Sequence, residues 1–101
     1  VFDLPSVAGH ARRRLEARGL ASRVAVHGGS FLGDPLPQGA DLVTLVRVVH
    51  DHDDAQVRRL FEAIAAALAP GGTLLIAEPM AGVAGAEAMG GAYFGLYLWA
   101  M

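Results

Sequence analysis

Short runs of β-branched and other hydrophobic residues alternate along the chain with longer segments whose hydrophobic residues have helical spacing. This alternation is typical of an α/β fold with a parallel sheet. The longest run, residues 41–49, predicts a strand covered on both faces, because its hydrophobic residues are nearly continuous. Shorter runs at 1–4, 24–27 and 73–77 predict three further strands. The glycine- and alanine-rich stretch 80–91 predicts a loop that leads to a last helix.

Two helices are predicted between these strands. Pro5 is expected in the first turn of one helix, and Gly19 is placed where a glycine commonly ends a helix. The other helix is expected to begin at Asp53 or Asp54, whose carboxylate can accept hydrogen bonds from the free amides of the first turn. It should end at the Pro-Gly-Gly sequence of 70–72. Its apolar face consists of residues at helical spacing: Val57, Leu60, Phe61, Ile64 and Leu68.

Composition narrows the class of protein. The chain has 101 residues, of which 53% are hydrophobic, and this allows one domain with a modest core. The net charge is −2, and the single basic run, 12–14, is interpreted as a solvated helix face, so no nucleic-acid partner is expected. Cysteine is absent, which excludes disulfides, thiolate zinc sites and thiol nucleophiles, and a reducing cytoplasm is the expected compartment. The hydrophobic stretch 92–101 is about half of the ~20 residues that span a bilayer, so no transmembrane segment is predicted.

The two ends of the chain predict a piece of a longer protein. The first residues already belong to a strand-like run, and the last ones are the aromatic segment "AYFGLYLWAM". Left uncovered, the aromatic residues of this segment would form an exposed patch of a kind that soluble monomers avoid.

Polar residues lie at the carboxyl end of each predicted strand or directly after it. They are Asp3, the loop that contains Gly28 to Ser30, Arg47 with His50, and Glu78. Because ligands of open parallel sheets bind at the carboxyl ends of the strands, these residues are expected on one rim. The carboxylate of Asp3 could accept hydrogen bonds from both ribose hydroxyls of a nucleoside. Its alternative role is a charge that favours the N-terminus of the next helix.

Two phosphate-binding motifs do not fit the sequence. A G-x-G-x-x-G fingerprint placed on Gly28 and Gly33 would need glycine at position 30, where the chain has Ser30. A P-loop needs a lysine, and the chain contains none. A nucleoside without a pyrophosphate is therefore the expected ligand.

The run "HDHDD" at 50–54 has three possible roles. His50, His52 and Asp54 could bind a metal, although the other histidines lie on different elements and a full ligand set is hard to assemble. The three aspartates of the run could serve as a helix cap and first-turn charges, a role expected of Asp53 and Asp54 in any case. His50 follows a buried strand, where an imidazole suits a general base, with a structural histidine as the alternative.

Five motifs together resemble a known family. In chain order they are "VFDLPSV", "HGGSF", "LVRVVHDHDD", "LAPGGTLLIAEPM" and "AYFGLYLWAM". This set is similar to the catalytic domain of S-adenosylmethionine-dependent O-methyltransferases of the caffeic-acid and acetylserotonin type. The resemblance covers nearly the whole chain, and within the family it is closest to the bacterial hydroxyneurosporene (demethylspheroidene) O-methyltransferases of carotenoid biosynthesis.

The resemblance implies a fold and a boundary. Residues 1–101 would be a partial S-adenosylmethionine-binding catalytic domain with a Rossmann-like class I methyltransferase sheet. The first strand and its glycine-rich loop would lie upstream, and that strand would stand between the strands ending at Asp3 and Val49. The family's dimerisation domain and its later acceptor-binding segment would also lie outside the chain. The parent protein is therefore expected to be a homodimer, and the 101 residues alone are expected to be inactive.

The resemblance also implies residues for cofactor binding. Asp3 would hold the ribose of S-adenosylmethionine, and Gly29, Ser30 and Phe31 would line the adenine pocket. The family often has aspartate where this chain has Ser30, so the hydrogen bond of that carboxylate to adenine is not carried over. Arg47 stands where acetylserotonin-type members have an arginine near the cofactor carboxylate.

On the acceptor side, His50 falls on the family's catalytic base and Glu78 on a glutamate that orients its imidazole. His52 replaces a tryptophan of the family and is assigned to the acceptor pocket, together with Met80 and Trp99. The expected acceptor is a small apolar molecule with a hydroxyl group, such as a carotenoid, a phenolic or another secondary metabolite. The aromatic C-terminal segment suits a long apolar acceptor, with ordinary core or dimer packing as the alternative.

Two other functions stay open on the sequence alone. One is a non-catalytic α/β scaffold for protein interactions, and the other is a metallo-hydrolase that uses His50, His52 and Asp54. A Gly-x-Gly-x-Gly loop about 20 residues upstream of Asp3 would favour the methyltransferase over the scaffold.

Overall fold

The computed structural model describes residues 1–78, 84 and 92–100 as an α/β arrangement. Strands and helices alternate along these residues, as the hydrophobic pattern predicts. In chain order the elements are β1 (Phe2–Asp3), α1 (Pro5–Ala17), β2 (His27–Gly28), β3 (Ala40–Val46), a 3₁₀ turn (Val49–Asp51), α2 (Asp54–Ala67), β4 (Leu68–Ala77) and α3 (Ala92–Ala100).

Helix α1 has the boundaries that its sequence predicts. Pro5 is in the first turn, where its missing N–H costs no intrahelical bond. Gly19 has a φ of 68°, in the left-handed region that favours glycine. The N–H groups of Gly19 and Leu20 donate to the carbonyls of Glu16 and Leu15 at 2.9 Å each. These bonds satisfy carbonyls that the end of a helix leaves without intrahelical partners.

Helix α2 begins at a capping box. The carboxylate of Asp53 accepts from the Gln56 N–H at 2.8 Å, and the Gln56 side chain accepts from the Asp53 N–H at 3.4 Å. The predicted apolar face is buried at its centre, where Leu60 and Ile64 are 2% and 1% exposed. Together with Leu45 of β3 they form the hydrophobic core, so α2 is fixed against one face of the second sheet.

The strands form two separate parallel pairs. β1 pairs with β2, with Phe2 opposite His27, and β3 pairs with β4, with Val46 opposite Ala77. The parallel direction is as predicted, but the strand boundaries differ. The strand expected at 24–27 is reduced to His27–Gly28.

The strand expected at 73–77 begins earlier, at Leu68, directly after α2. Residues 70–72, predicted to end the helix, therefore lie within β4. They belong to an irregularity in the pairing, because Ala40 is opposite Leu68 and Leu42 is opposite Thr73. Gly71, with a φ of 81°, supplies the left-handed conformation that this bulge requires.

Strand β3 is shorter and less covered than its sequence predicts. It ends at Val46, not at 49, because Arg47 adopts a left-handed conformation. Leu45 is buried, but Leu42 and Val46 are 54% and 58% exposed, so the prediction of two covered faces is wrong for the described residues. One face of the β3–β4 sheet stays exposed because α2 covers only the other face, while α1 packs on β1 and β2.

A cavity of about 930 Å³ lies between the two strand pairs, and we call it the central cleft. Phe2 and Asp3 of β1 line one side, and Leu42 and Leu45 of β3 line the other. The helix α3 carries the exposed side chains Leu96 and Trp99. No helix within the described ranges is long and apolar enough to cross a bilayer.

Candidate active site

The backbone turns sharply where β3 ends. Arg47 has a φ of 56°, a left-handed conformation that costs a residue with a side chain about 1 to 3 kcal/mol. Its own N–H still donates to the Ala77 carbonyl at 3.0 Å, as the last hydrogen bond to β4. Immediately after this turn, the N–H groups of Val48 and Val49 point across to the residue that follows β4. The strain at Arg47 thus coincides with the formation of a binding site for a carboxylate.

That carboxylate belongs to Glu78, which follows β4. One oxygen, Oε1, accepts hydrogen bonds from Val48 N–H at 2.7 Å and from Val49 N–H at 2.8 Å. The other oxygen, Oε2, lies 2.5 Å from Nδ1 of His50. The Glu78 side chain is only 3% exposed. Three hydrogen bonds therefore hold a buried carboxylate in one orientation.

The charge of Glu78 is set by opposing effects. Burial alone would raise the pKa of Glu78, because it penalises the charged form. The hydrogen bond from His50 and those from the Val49 and Val48 amides favour the charged form, and together they outweigh burial and lower the pKa. An ionised Glu78 accepts hydrogen bonds only, so Nδ1 of His50 carries a proton.

The second ring nitrogen of His50 faces Asp51. Nε2 lies 3.0 Å from the Asp51 carboxylate, and the side chains of His50 and Asp51 are 11% and 32% exposed. A carboxylate therefore faces each of the two ring nitrogens of His50. Asp51 lies in the 3₁₀ turn that precedes α2, whereas Asp53 is the N-cap and Asp54 the first residue of α2.

The loop after β2 is held closely against β1. A Cβ atom on Gly29 would lie 2.8 Å from Cζ of Phe2, so a side chain at this position would have to displace the Phe2 ring. The Ser30 N–H donates to the Asp34 carboxylate at 2.8 Å, and the Asp34 N–H donates back to the Ser30 carbonyl at 2.7 Å. Sequence reasoning missed Asp34, although an aspartate in a glycine- and proline-rich loop is a common turn-stabilising residue.

All five residues expected to bind the cofactor line the central cleft. They are Asp3, Gly29, Ser30, Phe31 and Arg47. Asp3 lies at the end of β1, where its Oδ1 accepts from the Leu4 N–H at 2.8 Å. Asp3, Arg47 and Phe31 thus bring a carboxylate, a guanidinium and an aromatic ring to the cleft from three different parts of the chain.

The residues assigned to the acceptor side are not brought together in the same way. His52 contacts Phe31 edge to face, with ring centroids 4.9 Å apart and an interplanar angle of 85°. Trp99 is 84% exposed. Met80 lies outside the described residues.

The metal alternative requires His50, His52 and Asp54 to converge. The His50 ring is turned toward Glu78 and Asp51, and the His52 ring toward Phe31. In the part of the chain that the structure describes, no three histidine, aspartate or glutamate side chains are grouped so that they could hold a metal ion. These three residues are therefore not assembled as a ligand set.

Comparison with known proteins gives the family. The family model described as the O-methyltransferase domain matches residues 1–101. The chain belongs to this O-methyltransferase family. Its members generally use S-adenosylmethionine as the methyl donor.

Relatives within the O-methyltransferase family agree with this assignment. The demethylspheroidene O-methyltransferase of Cereibacter sphaeroides is 48% identical over 101 residues, which are 100% of this chain and 27% of the relative. The acetylserotonin O-methyltransferase of Gallus gallus is 39% identical over 83 residues, or 79% of this chain and 22% of the relative. The chain thus spans about a quarter of the length of these relatives. The resemblance inferred from the five motifs is confirmed.

A solved O-methyltransferase also shares the fold. The structure of the mitomycin 7-O-methyltransferase MmcR superimposes with a TM-score of 0.70 and 40% sequence identity, over 74% of this chain and 22% of that chain. The short parallel strand pairs and helices of this chain are accordingly an α/β piece of the O-methyltransferase fold.

Proposed function

We propose that this chain is part of the catalytic domain of an S-adenosylmethionine-dependent O-methyltransferase in which His50 is the general base. The observation that carries the proposal is the Glu78 carboxylate, held by two backbone amides against Nδ1 of His50. A buried carboxylate that fixes an imidazole in this way leaves Nε2 as the nitrogen that exchanges a proton with a substrate.

The described residues fit S-adenosylmethionine. The central cleft offers the Asp3 carboxylate for the two ribose hydroxyls, the ring of Phe31 for the base and the Arg47 guanidinium for the carboxylate of the cofactor. The Gly29–Ser30 backbone allows a close approach, because position 29 has no side chain. When bound, S-adenosylmethionine supplies an electrophilic methyl group on a sulfonium sulfur, which becomes the methyl ether of the product.

Proton transfer is the work of His50. Nε2 accepts the proton of the acceptor hydroxyl, while Nδ1 keeps its own proton and donates a hydrogen bond to Glu78. The imidazolium that results is stabilised by Glu78 on one side. On the other side is Asp51, whose carboxylate lies 3.0 Å from Nε2 in the structure. Since Asp51 is 32% exposed, it can rotate away to admit the acceptor and return to receive the Nε2 proton on its way to solvent.

The acceptor is proposed from the relatives. The relative from Cereibacter sphaeroides is named for demethylspheroidene and that from Gallus gallus for acetylserotonin. Because the first of these is the more similar over the whole chain, we assign a hydroxylated carotenoid or another small apolar alcohol or phenol as the acceptor. Trp99 and Met80 remain our candidates for the apolar wall.

The arrangement of the strands supports the same proposal. β1 and β3 face each other across the central cleft without a hydrogen bond between them. We place one further parallel strand of the full-length protein between them, followed by a glycine-rich loop at the cofactor. The remaining domain and the homodimer are carried over from the family resemblance as parts of this proposal, and the cytoplasmic location is carried over from the lack of cysteine.

The base assignment is tested with His50→Ala in the full-length protein. We expect turnover with demethylspheroidene to fall about 10²- to 10⁴-fold, the usual contribution of a general base. Affinity for S-adenosylhomocysteine, measured by calorimetry, should stay nearly unchanged. His10→Ala is the matched control, because His10 lies on the exposed side of α1 beside Arg13.

Loss of cofactor affinity with intact turnover in His50→Ala would contradict the base assignment. If the full-length protein binds no S-adenosylhomocysteine at all and lacks the upstream Gly-x-Gly-x-Gly loop, the chain is a scaffold and not an enzyme.

A further inference from the structure

Hydrogen bonds hold the backbone around His52 at the edge of the central cleft. Its N–H donates to the Val49 carbonyl at 3.3 Å, which ties it to the end of the 3₁₀ turn. The next residue, Asp53, is fixed by the capping box of α2. The backbone on both sides of His52 is therefore held by hydrogen bonds, and the ring itself contacts Phe31.

Phe31 lies on the other side of the His52 ring and is held by a different part of the chain, the loop after β2. It follows Ser30, whose N–H and carbonyl are both bonded to Asp34. Phe31 also packs against the hydrophobic core around Leu60. The two rings meet edge to face at 4.9 Å, a geometry that stabilises aromatic pairs. They form a preorganised aromatic corner of the cleft, which we call the His52–Phe31 corner.

The neighbours of this corner indicate which substrate it faces. His52 lines the same cleft as Asp3, Ser30 and Arg47. By contrast, His50 is not among the described residues that line the cleft; Asp51, whose carboxylate lies 3.0 Å from Nε2 of His50, lines the cleft between the two histidines. The hydroxyl of the acceptor has to reach Nε2 of His50, whereas the His52 ring contacts Phe31 on the cleft side.

We infer that the His52–Phe31 corner binds the nucleobase end of the methyl donor, so that His52 sets cofactor affinity and not the choice of acceptor hydroxyl. This inference rests on the proposed function and changes the role assigned to His52 from the sequence. Flat purine rings stack favourably on aromatic side chains, and the nucleobase lies next to the ribose that Asp3 holds. The imidazole also offers a hydrogen-bond donor and an acceptor to the edge of a purine.

The test measures binding of S-adenosylhomocysteine and of free adenosine to the full-length protein by calorimetry. His52→Ala should weaken both ligands by the same factor, about tenfold, because the lost contact is to the part that they share. The KM for the acceptor should be unchanged at saturating methyl donor. His52→Phe should restore most of the affinity, since it keeps an aromatic ring.

A second pair of variants keeps the test decisive if His52→Ala does not fold. His52→Leu and His52→Phe both fill the corner, but only the second supplies a ring for stacking, so cofactor affinity should fall in His52→Leu alone. Unchanged affinities for both ligands in His52→Leu, or a raised acceptor KM as its only effect, would overturn the inference.

Asp3→Ala separates failure of this inference from failure of the proposed function. If Asp3→Ala weakens S-adenosylhomocysteine binding and His52→Leu does not, only the role of the His52–Phe31 corner is wrong. If the wild-type full-length protein binds neither ligand, the proposed function and the inference fall together.

Discussion

At the scale of single residues, the site depends on groups that are far apart in the sequence. Glu78 and His50 are separated by 28 residues, yet their side chains meet at 2.5 Å. Glu78 also accepts hydrogen bonds from the N–H groups of Val48 and Val49, which follow the turn at Arg47. The strain of a left-handed arginine is thus offset locally by two hydrogen bonds to a charged acceptor, which are stronger than neutral ones.

The lowered pKa of Glu78 predicts a pH dependence of stability. In the unfolded chain this carboxyl has its ordinary pKa of 4.5, and in the folded protein the value is lower. Its contribution to the free energy of unfolding is therefore present above the unfolded pKa and is lost as the pH falls through the folded pKa. We expect the melting temperature of the wild type to exceed that of Glu78→Gln at pH 7, with a smaller difference in acid.

Thermal unfolding of both full-length proteins between pH 7 and pH 3 checks this expectation. Glu62→Gln serves as the control, since Glu62 lies on α2 away from the His50–Glu78 pair. A Glu78→Gln difference that stays constant over the whole range would show that the charge of Glu78 does not stabilise the fold.

At the scale of elements, the start of α2 determines which residues of the helix face the core and where the segment before the helix lies. The capping box at Asp53 sets where the helix begins, and Leu60 and Ile64 then face Leu45. His52 is held between this cap and the 3₁₀ turn. A change at the cap should therefore affect both helix stability and the His52–Phe31 corner.

Asp53→Ala is expected to lower the free energy of unfolding by about 1 kcal/mol, the usual cost of losing an N-cap. Asp53→Asn keeps an oxygen that accepts from the Gln56 N–H and should remain close to the wild type. Urea denaturation of the full-length variants gives the comparison. Equal destabilisation by alanine and asparagine would mean that the negative charge near the helix N-terminus, and not the capping hydrogen bond, is what matters.

At the scale of the whole molecule, the two strand pairs leave hydrophobic surface uncovered. Leu42 and Val46 of β3 are more than half exposed, although they come from the most hydrophobic run of the chain. Such a run is typical of a strand in the middle of a sheet covered on both sides. The exposed residues and the open central cleft agree with the proposal that further parts of the full-length protein complete this sheet.

We expect residues 1–101 alone to bind S-adenosylhomocysteine poorly, because only one side of the proposed cofactor site is present in them. Calorimetry on the isolated segment and on the full-length protein makes the comparison, with circular dichroism to confirm that the isolated segment is folded. Micromolar binding by the folded segment would show that the described residues suffice for the cofactor and would contradict the proposed missing strand.

Sequence patterns predict a structural feature correctly where the interactions that determine it lie within a few residues. The ends of α1, the cap of α2 and the apolar face through Leu60 and Ile64 follow from proline, glycine, aspartate and helical periodicity, which act within a few residues. The parallel strands follow from their alternation with helices. The five motifs indicate the family through their order and spacing along the chain, because each motif alone is a weak signal.

Tertiary structure decided what depends on distant partners. β3 ends at Val46 because Arg47 adopts a left-handed conformation. The N–H groups of the following residues, Val48 and Val49, then donate to the distant carboxylate of Glu78. The contact of the His52 ring with Phe31, in a loop 21 positions earlier in the chain, also depends on the fold, and it carries the inference about the role of His52. Such contacts depend on how separate elements pack, and no local pattern encodes them.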